Sequence, residues 1–213
     1  MYLSEDIKTE IEYFKKLHES FSISLGEKNV SIISATDEVL YMLLSASLVM
    51  DVAEDELFDN FVITDRNLTG KKETLIDAYA LIDTQNSKEK QLHIFQYKLL
   101  QKDSGSASPV DVNNFSNFIN TEFLHSTLIT KDPNNQVVDE IHEIVDNFLK
   151  HKGNKISVKC HFITNVLGIN KKDEKSFEFL KRFDYDKQVH NFDIQVYGIK
   201  EIDKEFKDSL LKI

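Results

Sequence analysis

The chain has little of what staples or punctuates a fold. Its single cysteine, Cys160, excludes an internal disulfide and any cysteine-cluster metal site. With two prolines and six glycines in 213 residues, long flexible linkers are not expected, and there is no internal repeat or low-complexity run. No apolar run approaches the roughly 20 residues that span a bilayer, so no membrane partner is expected. The N-terminal stretch MYLSEDIKTEIEYF is acidic and amphipathic, which is not the pattern of a signal peptide; the expected compartment is the cytoplasm. What is present, 41% hydrophobic and 29% charged residues, suits one globular domain over residues 1–213. A chain of this size should bury roughly 70% of its unfolded surface without a staple. The periodicity that opens after Glu201 is still running at Ile213, an ending expected of the N-terminal piece of a longer protein.

The net charge of −10 argues at first against a polyanionic partner, but its distribution is uneven. Residues 1–70 and 103–149 are strongly acidic, whereas residues 71–102 and 150–187 carry an excess of lysine and arginine. Phosphate binding depends on a local basic face and not on the sum. The lysines available for such a face are Lys150, Lys152, Lys155, Lys171, Lys172 and Lys175, expected around the cleft.

Apolar residues at Ile7, Ile11, Phe14, Leu17 and Phe21 recur at helical spacing and predict a helix over Ser4–Ser24. Ser34 with Asp37 three residues on reads as a capping box before a helix through Val39–Val49, apolar enough to be buried on most sides. A short strand is expected between Phe58 and Thr64. Two stronger strands, Thr74–Ile82 and Gln91–Leu99, flank the polar turn Asp83–Lys90 and should pair as an antiparallel hairpin. Gln101–Pro109 and Lys131–Asn135 read as loops. Helices are expected at Val110–His125, Gln136–Lys150 and Lys175–Arg182, strands at Ile156–Thr164 and Phe192–Tyr197, and a last helix from Glu201. This alternation predicts an α/β fold with a central mixed β-sheet flanked by helices.

The chemistry concentrates on the hairpin. Strand side chains alternate faces, so Gln96 and Lys98 point one way and His93, Phe95 and Tyr97 the other. Pairing would set Asp77 beside the polar pair, so that a carboxylate, an amide oxygen and an ammonium converge. Burying an acid and a lysine among apolar residues is costly unless they bind something or each other. Two uses follow. Asp77 and Lys98 can form a cross-strand ion pair with Gln96 exposed. Alternatively the trio serves metal-assisted phosphodiester hydrolysis, in which a carboxylate holds a hard divalent cation that activates water, and a lysine stabilises the growing negative charge.

The order Ile76-Asp77-Ala78-Tyr79, a gap, then Phe95-Gln96-Tyr97-Lys98 resembles the D…(E/Q)xK core of PD-(D/E)XK nucleases with a restriction-endonuclease-like core. It is most similar to their Mrr-like branch and to the N-terminal region of abortive-infection phage-resistance proteins. Where those proteins carry Gly-Gly before the Ile-Asp pair, this chain has Thr74-Leu75. The resemblance implies a Mg²⁺- or Mn²⁺-dependent endonuclease domain of bacterial phage defence, acting on nucleic acid and in particular DNA. It implies Asp77 as principal metal ligand, Gln96 as second ligand or water holder, the Tyr97 carbonyl as a backbone ligand and Lys98 as catalytic lysine. Glu38, at the start of the Val39–Val49 helix, would supply the further acid that this superfamily often draws from that position. Taken alone, Glu38 is an ordinary first-turn acid at a helix N-terminus. Cutting both strands of a duplex needs two sites, so a homodimer is expected. The alternative is a nuclease-like module that binds nucleic acid or a protein without cutting.

The histidines show no metal-ligand spacing, and His93 should pack on the face opposite the motif. Alternation separates Cys160 from His161, against a thiol nucleophile. Phe115, Phe118 and Phe123 read as core.

Overall fold

The computed structural model describes residues 3–26, 28–69, 75–101, 105–106, 108–119, 136–167 and 189–210. Its sheet has seven strands: β1 (Ser22–Leu25), β2 (Lys28–Ser31), β3 (Val62–Ile63), β4 (Ala78–Asp83), β5 (Glu89–Lys98), β6 (Lys155–Thr164) and β7 (Val189–Tyr197). They lie in the order β2-β1-β3-β4-β5-β6-β7. The pairs β1–β2, β3–β4 and β4–β5 are antiparallel, and β1–β3, β5–β6 and β6–β7 are parallel. The helices among the described residues are α1 (Glu5–Leu17), α2 (Asp37–Met50), α3 (Glu54–Asn60), α4 (Arg66–Thr69), α5 (Pro109–Phe118), α6 (Gln136–Leu149) and α7 (Ile199–Leu210). The expected mixed α/β sheet is therefore present. None of these helices is long and apolar enough to cross a membrane.

Parallel strands cannot be joined by a tight turn, so β5 reaches β6 through a long connection that carries α5 and α6. Those helices cover one face of the sheet, where Val112, Phe115, Val138 and Ile141 pack on Leu92, Ile94, Cys160 and Phe162. The other face is covered by α1, α2 and α3 together with Ile202 of α7, over Ala78, Ala80, Phe95 and Ile163. With both faces covered, β5 is buried from Leu92 to Phe95 on consecutive residues, as a central strand must be.

Several elements differ from the sequence expectation. Helix α1 stops at Leu17, because His18 closes it through an N–H bond to the Phe14 carbonyl and the chain then enters the β1–β2 hairpin. Phe21 keeps the helical spacing but stacks on Phe58 with ring centroids 4.4 Å apart. The cap of α2 is Thr36, whose hydroxyl accepts the Val39 N–H, while Ser34 turns its own hydroxyl to the Ser31 carbonyl. Phe58 belongs to α3, leaving only Val62 and Ile63 as strand. Asp77 lies just before β4 and not inside it. The hairpin itself, the parallel strands and α2 fall where expected; the helix placed at Lys175–Arg182 lies outside the described residues.

The buried side of α1 also holds a carboxylic acid, Glu10, at 5% exposure, hydrogen-bonded to Asp203 of α7. Burial, then that bond and the Asp203 charge, push the Glu10 carboxyl up to about 8. A carboxyl whose folded pKa lies above its unfolded value contributes fully at low pH and loses that contribution as pH rises through the folded value. Glu10→Gln, permanently neutral, should therefore raise the thermal midpoint at pH 9 by about 2–4 °C for each kcal/mol recovered and give little gain at pH 4. Thermal unfolding of both proteins across that range checks the sign.

Candidate active site

The end of β5 is held from both sides. Tyr97 turns towards α2, where its hydroxyl donates to the Met42 carbonyl at 2.9 Å and lies 3.3 Å from Ser45 Oγ. Alternation then sends Gln96 and Lys98 to the face that carries α5. The Thr164 hydroxyl donates to the Lys98 carbonyl at 2.8 Å, and Asn165 closes both main-chain groups of Leu100 at 2.7 and 2.9 Å. Tyr41 of α2 donates to the Thr164 carbonyl at 3.1 Å, so α2, β5 and β6 meet at this end of the sheet.

Asp77 enters the same spot from the other strand of the hairpin. Its N–H donates to the Phe95 carbonyl at 2.9 Å, and its carboxylate accepts the Tyr97 N–H at 2.6 Å. The carboxylate thus sits on the peptide unit that joins Gln96 to Tyr97, close enough to Lys98 for that charge to act on it. Burial pushes the Asp77 carboxyl up to about 7; the Tyr97 N–H works against the rise, Asp65 and Glu38 add to it, and Lys98 opposes it. Glu38, in the first turn of α2, is itself pushed up by burial and by Asp65.

Gln96 is half-buried, and its Oε1 is buried without a hydrogen-bond partner among the described residues. An amide oxygen left so is costly, by about 1–3 kcal/mol, and suits a site meant to be completed by a donor or a cation. Lys98 is exposed and its Nζ lies 3.5 Å from Asp111 Oδ2 in the first turn of α5. This pairing, and the burial of Gln96 Oε1, depart from the simple cross-strand ion pair that the residue types also allowed.

Two acids at the site, Asp65 and Asp111, were not singled out in the sequence. Asp65 Oδ1 accepts the N–H groups of Asn67 and Leu68, at 2.8 and 3.1 Å. The Asp-x-x-Leu-Thr stretch carries this turn signature, but only the fold brings it to Asp77. Among the described residues no three Asp, Glu, His or Cys side chains gather closely enough to hold a metal ion. The groups at hand for a hard cation are the Asp77 carboxylate and the orphaned Gln96 oxygen, oxygen donors of the kind Mg²⁺ and Mn²⁺ prefer alongside retained waters. Tyr97 meets Asp77 through its N–H, and Glu38 acts on Asp77 through charge.

Other candidates fall away from this spot. His93 is buried on the opposite face, with Nδ1 3.0 Å from His161 Nε2 and Nε2 3.3 Å from Gln91 Oε1. Burial lowers both rings, His93 to about 3, so the pair is neutral. Cys160 is fully buried in the core beneath α5 and α6 and its thiol is pushed up. Phe115 is core, and Phe123 lies outside the described residues.

The lysine expectation needs correction. Register sets Lys155 opposite Glu89 and Thr164 opposite Lys98, so Lys150, Lys152 and Lys155 sit at the far end of the sheet. At about 3.3 Å per residue that end is roughly 30 Å from Lys98. Lys171, Lys172 and Lys175 lie outside the described residues. No family model, no curated protein and no solved structure matches the chain.

Asp77→Asn keeps an oxygen acceptor for the Tyr97 N–H and removes the strained charge. Because the folded pKa is raised, wild type loses stability as pH climbs from about 4 towards 7. The Asn variant should melt higher than wild type at pH 8 and gain less at pH 5. Calorimetry at the two pH values decides it, and an equal or lower midpoint at pH 8 contradicts the electrostatics described above.

Proposed function

We propose that this chain is a metal-dependent endonuclease domain of the PD-(D/E)XK type that hydrolyses phosphodiester bonds, in DNA before RNA, in bacterial defence against phage. The observation that carries the reading is the Asp77 carboxylate accepting the Tyr97 N–H at 2.6 Å, next to an amide oxygen of Gln96 with no partner among the described residues. Asp77 and Gln96 would hold the cation, Mg²⁺ or Mn²⁺, with main-chain and water oxygens completing its shell. Once bound, such a cation lowers the pKa of a coordinated water and offsets charge on the phosphate.

The remaining work falls to this chain's own residues. Lys98, exposed at the end of β5, is free enough to swing between Asp111 and a phosphate, where it would orient the attacking water and stabilise the extra negative charge. Asp77 cannot serve as a ligand while protonated, and burial raises its proton affinity, so cation affinity should rise with pH. Glu38 and Asp65 add negative potential that favours cation entry. The domain would act in the cytoplasm as a homodimer, one site for each strand.

One observation favours a second reading, a module that binds nucleic acid or a protein without cutting. Glu38 and Asp65 act on Asp77, Asp111 pairs with Lys98, and the three described lysines expected to grip phosphates stand at the other end of the sheet. Supercoiled plasmid and single-stranded RNA incubated with Mg²⁺ or Mn²⁺, with and without EDTA, separate the two. Cleavage should appear with metal, vanish with EDTA, and fall at least about 100-fold in Lys98→Ala, with Mn²⁺ affinity retained. Intact substrate with both ions would leave the non-cutting module as the reading.

A further inference from the structure

Three hydrogen bonds converge on the dipeptide Ile76-Asp77 from a corner of the chain outside the β4–β5 hairpin. The Thr64 hydroxyl donates to the Ile76 carbonyl at 2.7 Å, and the N–H groups of Thr64 and Asp65 both donate to the Asp77 carbonyl, at 2.8 and 3.0 Å. Thr64 is 2% exposed, and it follows directly on the two-residue strand β3. The corner is itself tied down. The Thr69 hydroxyl donates back to the Asp65 carbonyl at 2.8 Å, and the amides of Asn67 and Leu68 close on Asp65 Oδ1. Thr69 in turn rests on the β1–β2 turn: a Cβ at Gly26, where φ is +61°, would lie 3.1 Å from the Thr69 carbonyl oxygen.

Hydrogen bonds therefore run from the α4 turn through Thr64 and Asp65 to the Asp77 backbone, and from the Asp77 carboxylate on to the Tyr97 N–H. Asp77 needs such a brace. It precedes β4, so apart from its own N–H bond to the Phe95 carbonyl the paired strand does not fix its backbone. A reactive carboxylate must nevertheless be held within about 0.5 Å of its working position.

We propose that Thr64 and Asp65 are positioning residues: their bonds to Ile76 and Asp77 set where the Asp77 carboxylate is presented. The inference rests on the reading of Asp77 as a cation ligand. Thr64→Val keeps the side-chain shape and removes the hydroxyl, and Thr64→Ser returns the hydroxyl. Two quantities are measured on the full chain: Mn²⁺ affinity by electron paramagnetic resonance, and exchange of the Tyr97 amide by NMR in metal-free protein.

Thr64→Val should bind Mn²⁺ about 10–100-fold more weakly, the range found when a residue supporting a metal ligand is lost. Its Tyr97 amide should exchange at least about tenfold faster, because that amide's acceptor is no longer held. Thr64→Ser should recover both. Unchanged affinity and exchange in Thr64→Val, or a Thr64→Ser protein as impaired as Thr64→Val, overturns the proposal. Should Thr64→Val fail to fold, Thr69→Val loosens the same corner from a half-buried position. It must then accelerate Tyr97 exchange for the proposal to stand. Wild-type protein that binds no Mn²⁺ removes the cation reading, and Tyr97 exchange in the variants then decides the positioning role by itself.

Discussion

The bond between the Asp77 carboxylate and the Tyr97 N–H joins the start of one strand to the end of its neighbour, and the whole end of the sheet is arranged around it. A carboxylate taken out of water loses its solvation, and one main-chain N–H replaces little of that. Burial accordingly outweighs the bond in setting the acid's proton affinity, and two further acids add to the imbalance. An arrangement of this kind is stable only because the neighbouring elements leave the carboxylate nowhere else to go. Tyr97 is anchored in α2, Lys98 is bonded by Thr164, and the Asp77 peptide is gripped by Thr64 and Asp65.

Helix α2 has the largest part in this. Its residues from Val39 to Ala46 are all buried, so it cannot rotate to relieve a local misfit without exposing apolar surface on some side. It also presents polar groups at fixed depth: Tyr41 to the end of β6, Ser45 and the Met42 carbonyl to Tyr97, and Glu38 in its first turn towards the acids. The apolar run that reads in the sequence as a buried helix thus also sets the height at which β5 and β6 end.

Legibility in the sequence followed the range of the forces involved. The β4–β5 hairpin, β6 and α2 were readable because each carries enough residues for a period of 2 or 3.6 to show. Strands of two and four residues, β3 and β1, carry no period, and Phe21 kept the helical spacing of α1 while belonging to a different contact. Ser34 and Thr36 are equal as caps in composition; which one caps depends on where the preceding turn ends. At the site, Asp77, Gln96 and Lys98 could be grouped because a single hairpin brings them together. Asp65, Asp111 and Thr64 come from a corner and a helix start whose approach is decided by the β1–β3 and β5–β6 pairings. The lysine placement failed for the same reason: charge counted along the chain does not show at which end of a parallel strand a turn lies.

Two buried acids in this fold have raised proton affinity, and their surroundings differ in kind. Glu10 shares a hydrogen bond with Asp203, which Lys207 approaches at 2.6 Å, so the group is closed among side chains of two helices. Its proton affinity follows from burial and from the bond and charge of Asp203. Asp77 instead stands beside the unpartnered Gln96 oxygen and within the field of an exposed lysine, at a strand end where water has access to Lys98. A shifted carboxyl alone does not mark a site, because structural ion networks produce the same shift. What separates the two is what completes them: Glu10 Oε2 and Asp203 Oδ1 are buried acceptors that one proton shared between the two acids satisfies, whereas the Asp77 cluster holds excess negative charge and an amide acceptor, and a cation would answer both.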